Sequence, residues 1–81
     1  MAKKHQNSDG LNTVMGTILS VATNLKKKDI LLNAQRIVPK KGKAEIVVFH
    51  KGKEISRFSE DHKDVSFDEM KKIITGKLNS N

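Results

Sequence analysis

A short apolar run followed by a glycine reversal constrains the fold of this chain more than any other feature. The run Ala44–His50 contains Ile46-Val47-Val48-Phe49, and such β-branched and aromatic side chains are typical of a strand. Lys51-Gly52-Lys53 then supplies a tight reversal, and Glu54–Ser59 returns along it. The sequence therefore predicts a β-hairpin. A hairpin alone is marginal in water, so it needs a further partner.

That partner is expected immediately before the hairpin. Residues Ile30–Val38 are mostly apolar and end at Pro39, so they suit either a short helix or a strand. We favour the strand because the hairpin needs a neighbour. The Lys40–Lys43 segment, which contains Gly42, then forms the connecting turn.

The first half of the chain reads best as an amphipathic helix. Ser8 or Asp9 can cap its start, and seven of the eight apolar residues from 11 to 25 fit one helical face. Several β-branched residues and Gly16 oppose a helix. If residues 11–25 were instead a strand, the fold would be a four-stranded meander followed by a C-terminal helix.

A second helix is predicted at the C-terminal end. Ser66-Phe67-Asp68-Glu69 has the pattern of a capping box, and apolar residues then recur at helical spacing to Leu78. The polar stretch Glu60–Val65 before it is expected to be a loop. The predicted fold is α+β: one domain over residues 9–79, in which an N-terminal and a C-terminal helix flank a three-stranded antiparallel sheet. Residues 1–8 are predicted to be a disordered arm.

The size and composition of the chain limit the functions that it could have. Its 81 residues allow only one thin core, for which self-association is a common remedy, and the absence of cysteine excludes disulfides and thiolate metal sites. We find no nucleophile motif and no phosphate-cradling loop, so we do not expect an enzyme or a cofactor. Neither a leader nor a membrane span is apparent, and we expect a cytoplasmic protein.

The charge distribution indicates a polyanionic partner. The chain carries a net charge of +7, and residues 26–53 alone carry a net +7 while residues 54–69 are net acidic. Lysine outnumbers arginine fourteen to two, which favours phosphate contacts over the reading of base edges. We therefore expect DNA or RNA bound through its backbone, or else an acidic protein. The candidate nucleic-acid-binding residues are Lys26, Lys27, Lys28, Lys40, Lys41, Lys43, Lys51 and Lys53. We expect Phe49 and Phe58, the two phenylalanines on strands, to lie in the core rather than to form a stacking platform for bases.

The first helix carries an unusual uncharged face. No charged residue occurs between Gly10 and Leu25, although a solvent-facing helix surface normally carries lysine or glutamate. The small or neutral residues Asn12, Gly16, Ser20 and Thr23 recur along it. The alternative function is therefore a protein-interaction module without a nucleic-acid role, such as an inhibitor or accessory subunit. This face would then be the surface that contacts a partner protein or the second subunit of a homodimer.

The acidic stretch after the hairpin suggests a metal site only weakly. Asp61-His62-x-Asp64 lacks the glycine and the terminal glutamate of a calcium loop, and partner ligands for zinc cannot be identified. We therefore predict no metal site, and interpret the stretch as a solvated loop.

The order of elements is similar to that of double-stranded RNA-binding domains, whose sheet hairpin resembles Ile46–Ile55. The chain departs from that family at the last helix, which opens with Asp68 and Glu69 where the family has phosphate-gripping lysines. Three strands followed by a helix also resemble integrase arm-binding domains. The four-strand alternative would resemble dimeric single-strand DNA-binding coactivators. These resemblances rest on the order of elements and do not fix a function.

Overall fold

A computed structural model describes residues 9–80 of the chain and shows a helix, a three-stranded sheet and a second helix. The elements are α1 (Asp9–Lys26), β1 (Leu32–Ile37), β2 (Glu45–His50), β3 (Lys53–Phe58) and α2 (Phe67–Ser80), with a 3-10 turn at Glu60–His62 before α2. The predicted α+β order is confirmed. The four-stranded alternative is wrong, because residues 9–26 are helical. The arm predicted for residues 1–8 and the cap predicted at Ser8 lie outside the described residues.

The sheet is an antiparallel meander in the order β1-β2-β3. Leu32 pairs with His50 and Ile37 with Glu45, so β1 and β2 match over their full length. The β2–β3 pairing contains a bulge between Val48 and Phe49. Both helices pack on one face of the sheet. We call the other face, which no described helix covers, the open face.

The core explains why α1 is a helix despite its β-branched residues. Val14, Ile18 and Val21 on one side of α1 are completely buried against the sheet and α2. Burial of such an apolar stripe outweighs differences in helix propensity of a few tenths of a kcal/mol per residue. The shared core comprises Leu11, Val14, Ile18, Val21 and Leu25 of α1, Ile46, Val48, Ile55 and Phe58 of the sheet, and Met70 and Ile74 of α2.

The end of α1 reverses the chain into β1. Ile30 N–H donates to the Leu25 carbonyl at 3.2 Å and Asp29 N–H donates to the Lys26 carbonyl at 3.0 Å, which is the Schellman pattern. Asp29 adopts φ = 66° at the position where glycine is usual. This reversal brings the Lys26–Lys28 segment next to the beginning of β1.

The connection into α2 is more ordered than predicted. Glu69 N–H donates to Ser66 Oγ at 3.2 Å, which confirms the serine half of the predicted capping box. The predicted loop contains the 3-10 turn, where Ser59 Oγ accepts from Asp61 N–H and Ser59 N–H donates to His62 Nδ1. The His62 ring meets Phe58 edge-on at 5.1 Å, so this turn is fastened to the core.

Gly16 offers a test of the exposed face of α1. A Cβ atom added at this position would meet nothing within 4 Å. We expect Gly16→Ala to raise the free energy of unfolding by about 0.5–1 kcal/mol, because alanine has the higher helix propensity. Urea denaturation followed by far-UV circular dichroism measures it. A lower free energy of unfolding would contradict this expectation and would indicate a close contact here that a single chain does not contain.

Candidate nucleic-acid interface

The register of the sheet divides the eight predicted lysines into two groups. The start of β1, the end of β2 and the start of β3 meet at one end of the sheet, which we call the hairpin end. The exposed lysines at this end are Lys26, Lys27, Lys28, Lys51 and Lys53. The remaining three, Lys40, Lys41 and Lys43, are exposed in the β1–β2 connection at the opposite end. A strand of this length separates the two groups by roughly 17 Å, at about 3.3 Å per residue.

One lysine of the hairpin turn has a backbone conformation that lysine adopts only at an energetic cost. Lys51 has φ = 56° and Gly52 has φ = 78°, as in a two-residue turn with both central residues left-handed. Glycine and asparagine adopt this conformation readily, whereas it costs other residues about 1–2 kcal/mol. The turn therefore presents an ammonium group at the hairpin end at the expense of local conformational energy.

A hollow on the open face lies directly beside this turn. Its volume is about 410 Å³, and it is lined by Leu31, Leu32, Asn33, Gln35, Phe49, Lys51 and Gly52. Asn33 and Phe49 are register partners, so the amide and the ring share the open face. The hollow thus combines an aromatic ring, two side-chain amides and a cation.

Phe49 corrects one sequence-based expectation. Phe58 is in the core, with 2% of its surface exposed, as predicted. Phe49 is only partly buried and lies outside the core cluster, so its predicted core position is wrong. The physical reason is the two-residue period of a strand: Ile46 and Val48 fill the helix-covered face, which leaves Phe49 on the open face. The two-residue period could have assigned Phe49 to the open face. It was missed because Ile46–Phe49 are all apolar, so the sequence shows no alternation of apolar and polar residues there.

A second hollow follows the free edge of β1 beside α1. It has a volume of about 400 Å³ and is lined by Leu19, Ala22, Thr23, Lys26, Leu31 and Leu32. Leu31 and Leu32 also line the first hollow, so the two meet around the start of β1. Leu19 and Leu31 are large apolar side chains that are 50% and 63% exposed. The residues predicted as a protein interface, Asn12, Gly16, Ser20 and Thr23, are all exposed on α1.

Two carboxylates of the open face, those of Glu45 and Glu54, lie on the β2–β3 side. Arg57 Nη1 lies 3.2 Å from Glu45 Oε1, and Arg57 Nε lies 2.8 Å from Glu54 Oε2. β1 has the sequence Leu-Asn-Ala-Gln-Arg-Ile and contributes no acid. An anionic ligand on this face would therefore meet less repulsion along β1 than along β3.

The Arg57–Glu54 pair gives a pH-dependent prediction. The hydrogen bond from Arg57, together with its positive charge, lowers the pKa of Glu54 below the ordinary 4.5. A lowered pKa in the folded state stabilises the fold above the unfolded-state pKa, and this contribution is lost as the pH falls through the folded-state value. We expect Arg57→Gln to raise the pKa of Glu54 towards 4.5, as measured by carbon NMR titration of its carboxyl group. An unchanged pKa would show that the pair does not persist in solution.

The described residues give little support for a metal site or for a membrane span. No three His, Cys, Asp or Glu side chains within residues 10–80 are grouped so that they could hold a metal ion. His62, in the acidic stretch, already accepts the Ser59 N–H at Nδ1. Among the described helices, none has the length and apolar character to cross a membrane.

Comparison with known proteins adds no identity. No protein-family model, curated protein or solved structure matches this chain. The resemblance to double-stranded RNA-binding domains therefore remains one of element order, and a function has to be argued from the surface.

Proposed function

We propose that this chain binds nucleic acid through its phosphates, at the hairpin end and with little sequence specificity. The observation that carries the proposal is the occurrence of five exposed lysines at the hairpin end, from the end of α1 and from the β2–β3 hairpin, one of which, Lys51, lines the hollow of the open face. The nearby acids do not cancel this charge. Asp29 is a single carboxylate, and Glu54 is paired with Arg57.

The chemistry of these side chains supports low specificity. An ammonium group is a point charge suited to phosphate oxygens, whereas discrimination of bases favours the planar fork of arginine. Of the two arginines in the chain, Arg57 is engaged by Glu45 and Glu54, and Arg36 lies on β1 away from the hairpin end. Binding is therefore dominated by the phosphate backbone.

A salt series tests the proposal. If five lysines each neutralise one phosphate, log affinity for a single strand should fall with log salt with a slope of about −3.5, or about −4.5 for a duplex. Fluorescence anisotropy of labelled DNA and RNA strands provides the measurement. Failure to bind any of them at low salt would refute nucleic-acid binding, and a slope near zero would refute the phosphate contacts.

A second candidate function is a protein-interaction module that uses the exposed face of α1. The observation in its favour is the continuity of this uncharged face with Leu19, Leu31 and the hollow along β1. A charge placed within the hollow should then disrupt the association. We expect Thr23→Glu to shift a concentration-dependent dimer towards monomer in sedimentation velocity, with Asn79→Glu, at an exposed position of α2, as the control. A wild-type protein that is monomeric at every concentration, with no partner recovered by pull-down, would argue against this candidate.

A further inference from the structure

We propose that the hollow on the open face holds one unstacked base of a single-stranded nucleic acid against the Phe49 ring. This inference rests on the proposed phosphate binding and specifies the ligand as single-stranded. Bases in a duplex are stacked on one another, so their faces are not accessible to an aromatic side chain.

The position of Phe49 is the first support. The ring lies on the face of the sheet that no described helix covers, and it contributes nothing to the core cluster. An aromatic ring on an accessible sheet face is how several single-strand-binding folds hold bases, because every base has a flat π-face. Here the ring lines a hollow of about 410 Å³.

The lining of the hollow is the second support. Asn33 and Gln35 carry amides that both donate and accept hydrogen bonds, as the edges of bases do. An amide can turn to suit different bases, so these two side chains accommodate a base without selecting one strictly. Leu31 and Leu32 complete the apolar part of the wall.

Lys51 is the third support. Its backbone in the hairpin turn is left-handed, with φ = 56°. Lys51 lines the same hollow as Phe49. In the proposed complex, its ammonium group contacts the phosphate that joins the stacked nucleotide to its neighbour.

The charges on the open face favour one position for the phosphates of the nucleic-acid strand. Glu45 and Glu54 lie on the β2–β3 side, where Arg57 offsets only one of the two charges. Phosphates are accordingly expected on the β1 side, between Lys51 and Lys26, with the base turned inward towards Phe49.

The first experiment uses Phe49→Trp as a fluorescent probe, because the chain has no tryptophan or tyrosine of its own. The probes are a short oligothymidylate and an abasic strand of the same length, which has the same phosphates without bases. We expect both to bind at low salt and only the oligothymidylate to quench the tryptophan. Equal quenching by the two strands, or none by either, would overturn base stacking at this position.

The second experiment measures the affinity of two variants for oligothymidylate, in each of which leucine replaces a phenylalanine. Phe49→Leu retains an apolar side chain but removes the flat ring, and Phe67→Leu on α2 is the matched control. We expect Phe49→Leu to weaken oligothymidylate binding roughly 5- to 150-fold, equivalent to about 1–3 kcal/mol, and to leave the abasic strand unaffected.

The outcomes separate the two proposals. If both strands bind the wild-type protein equally and Phe49→Leu changes neither affinity, the stacking site is refuted while phosphate binding stands. If neither strand binds at low salt, phosphate binding fails and the inference fails with it. If a duplex competes as well as a single strand, the stated preference for single strands is wrong.

Discussion

Phe58→Ala is expected to lower the free energy of unfolding by about 3–5 kcal/mol. Phe58 is 2% exposed and packs in the core shared by both helices and the sheet. Its ring also supports His62, which fastens the turn before α2. A chain of 81 residues has a total stability of roughly 4–12 kcal/mol, so the loss would be a large part of it.

Urea denaturation monitored by far-UV circular dichroism measures this effect. The matched control is Phe67→Ala, because Phe67 is 37% exposed at the start of α2 and its truncation should cost only about 1–2 kcal/mol. Equal losses at the two positions would contradict the packing described for the core.

Replacing three hairpin-end lysines should have the largest effect on binding. In Lys26→Gln/Lys51→Gln/Lys53→Gln we expect affinity for a single strand to fall on the order of 100- to 1,000-fold at about 50 mM salt. The slope of log affinity against log salt should also become shallower by about 2. The physical reason is that three fewer phosphates are neutralised, so fewer counterions are released.

The control changes the same number of charges at the other end. Lys40→Gln/Lys41→Gln/Lys43→Gln lowers the net charge equally, but these lysines lie roughly 17 Å from the hairpin end, beyond the Debye length of about 14 Å at the same salt concentration. We expect only a few-fold loss of affinity and an unchanged slope. Equal effects of the two triple variants would mean that net charge, rather than the placement of the lysines, governs binding.

The elements of this fold were largely readable from the sequence because their signals are local. The hairpin follows from Ile46–His50 and Gly52, and α1 follows from an apolar period that outweighs β-branched residues. Ser66 marks the start of α2. In each case the local sequence signal and the tertiary packing favour the same secondary structure.

The candidate site was less predictable because it depends on tertiary placement. The lysines could be named from the sequence, but their division into two groups follows from the strand register. The first hollow depends on the pairing of β1 with β2, and the second depends on how the end of α1 lies beside β1; no local pattern specifies either. The left-handed conformations of Asp29 and Lys51 also went unpredicted, since glycine would be the usual signal at both positions.

The most direct test of the central claim is an NMR footprint of a single strand on the isotopically labelled protein. The account predicts that backbone amide shifts on titration with oligothymidylate concentrate at residues 26–35 and 49–53, the segments that form the hairpin end and its hollow. It also predicts that residues 40–43 and the exposed face of α1 remain unperturbed. Shifts centred on residues 40–43, or along Asn12–Thr23, would contradict the claim that the hairpin end is the nucleic-acid interface.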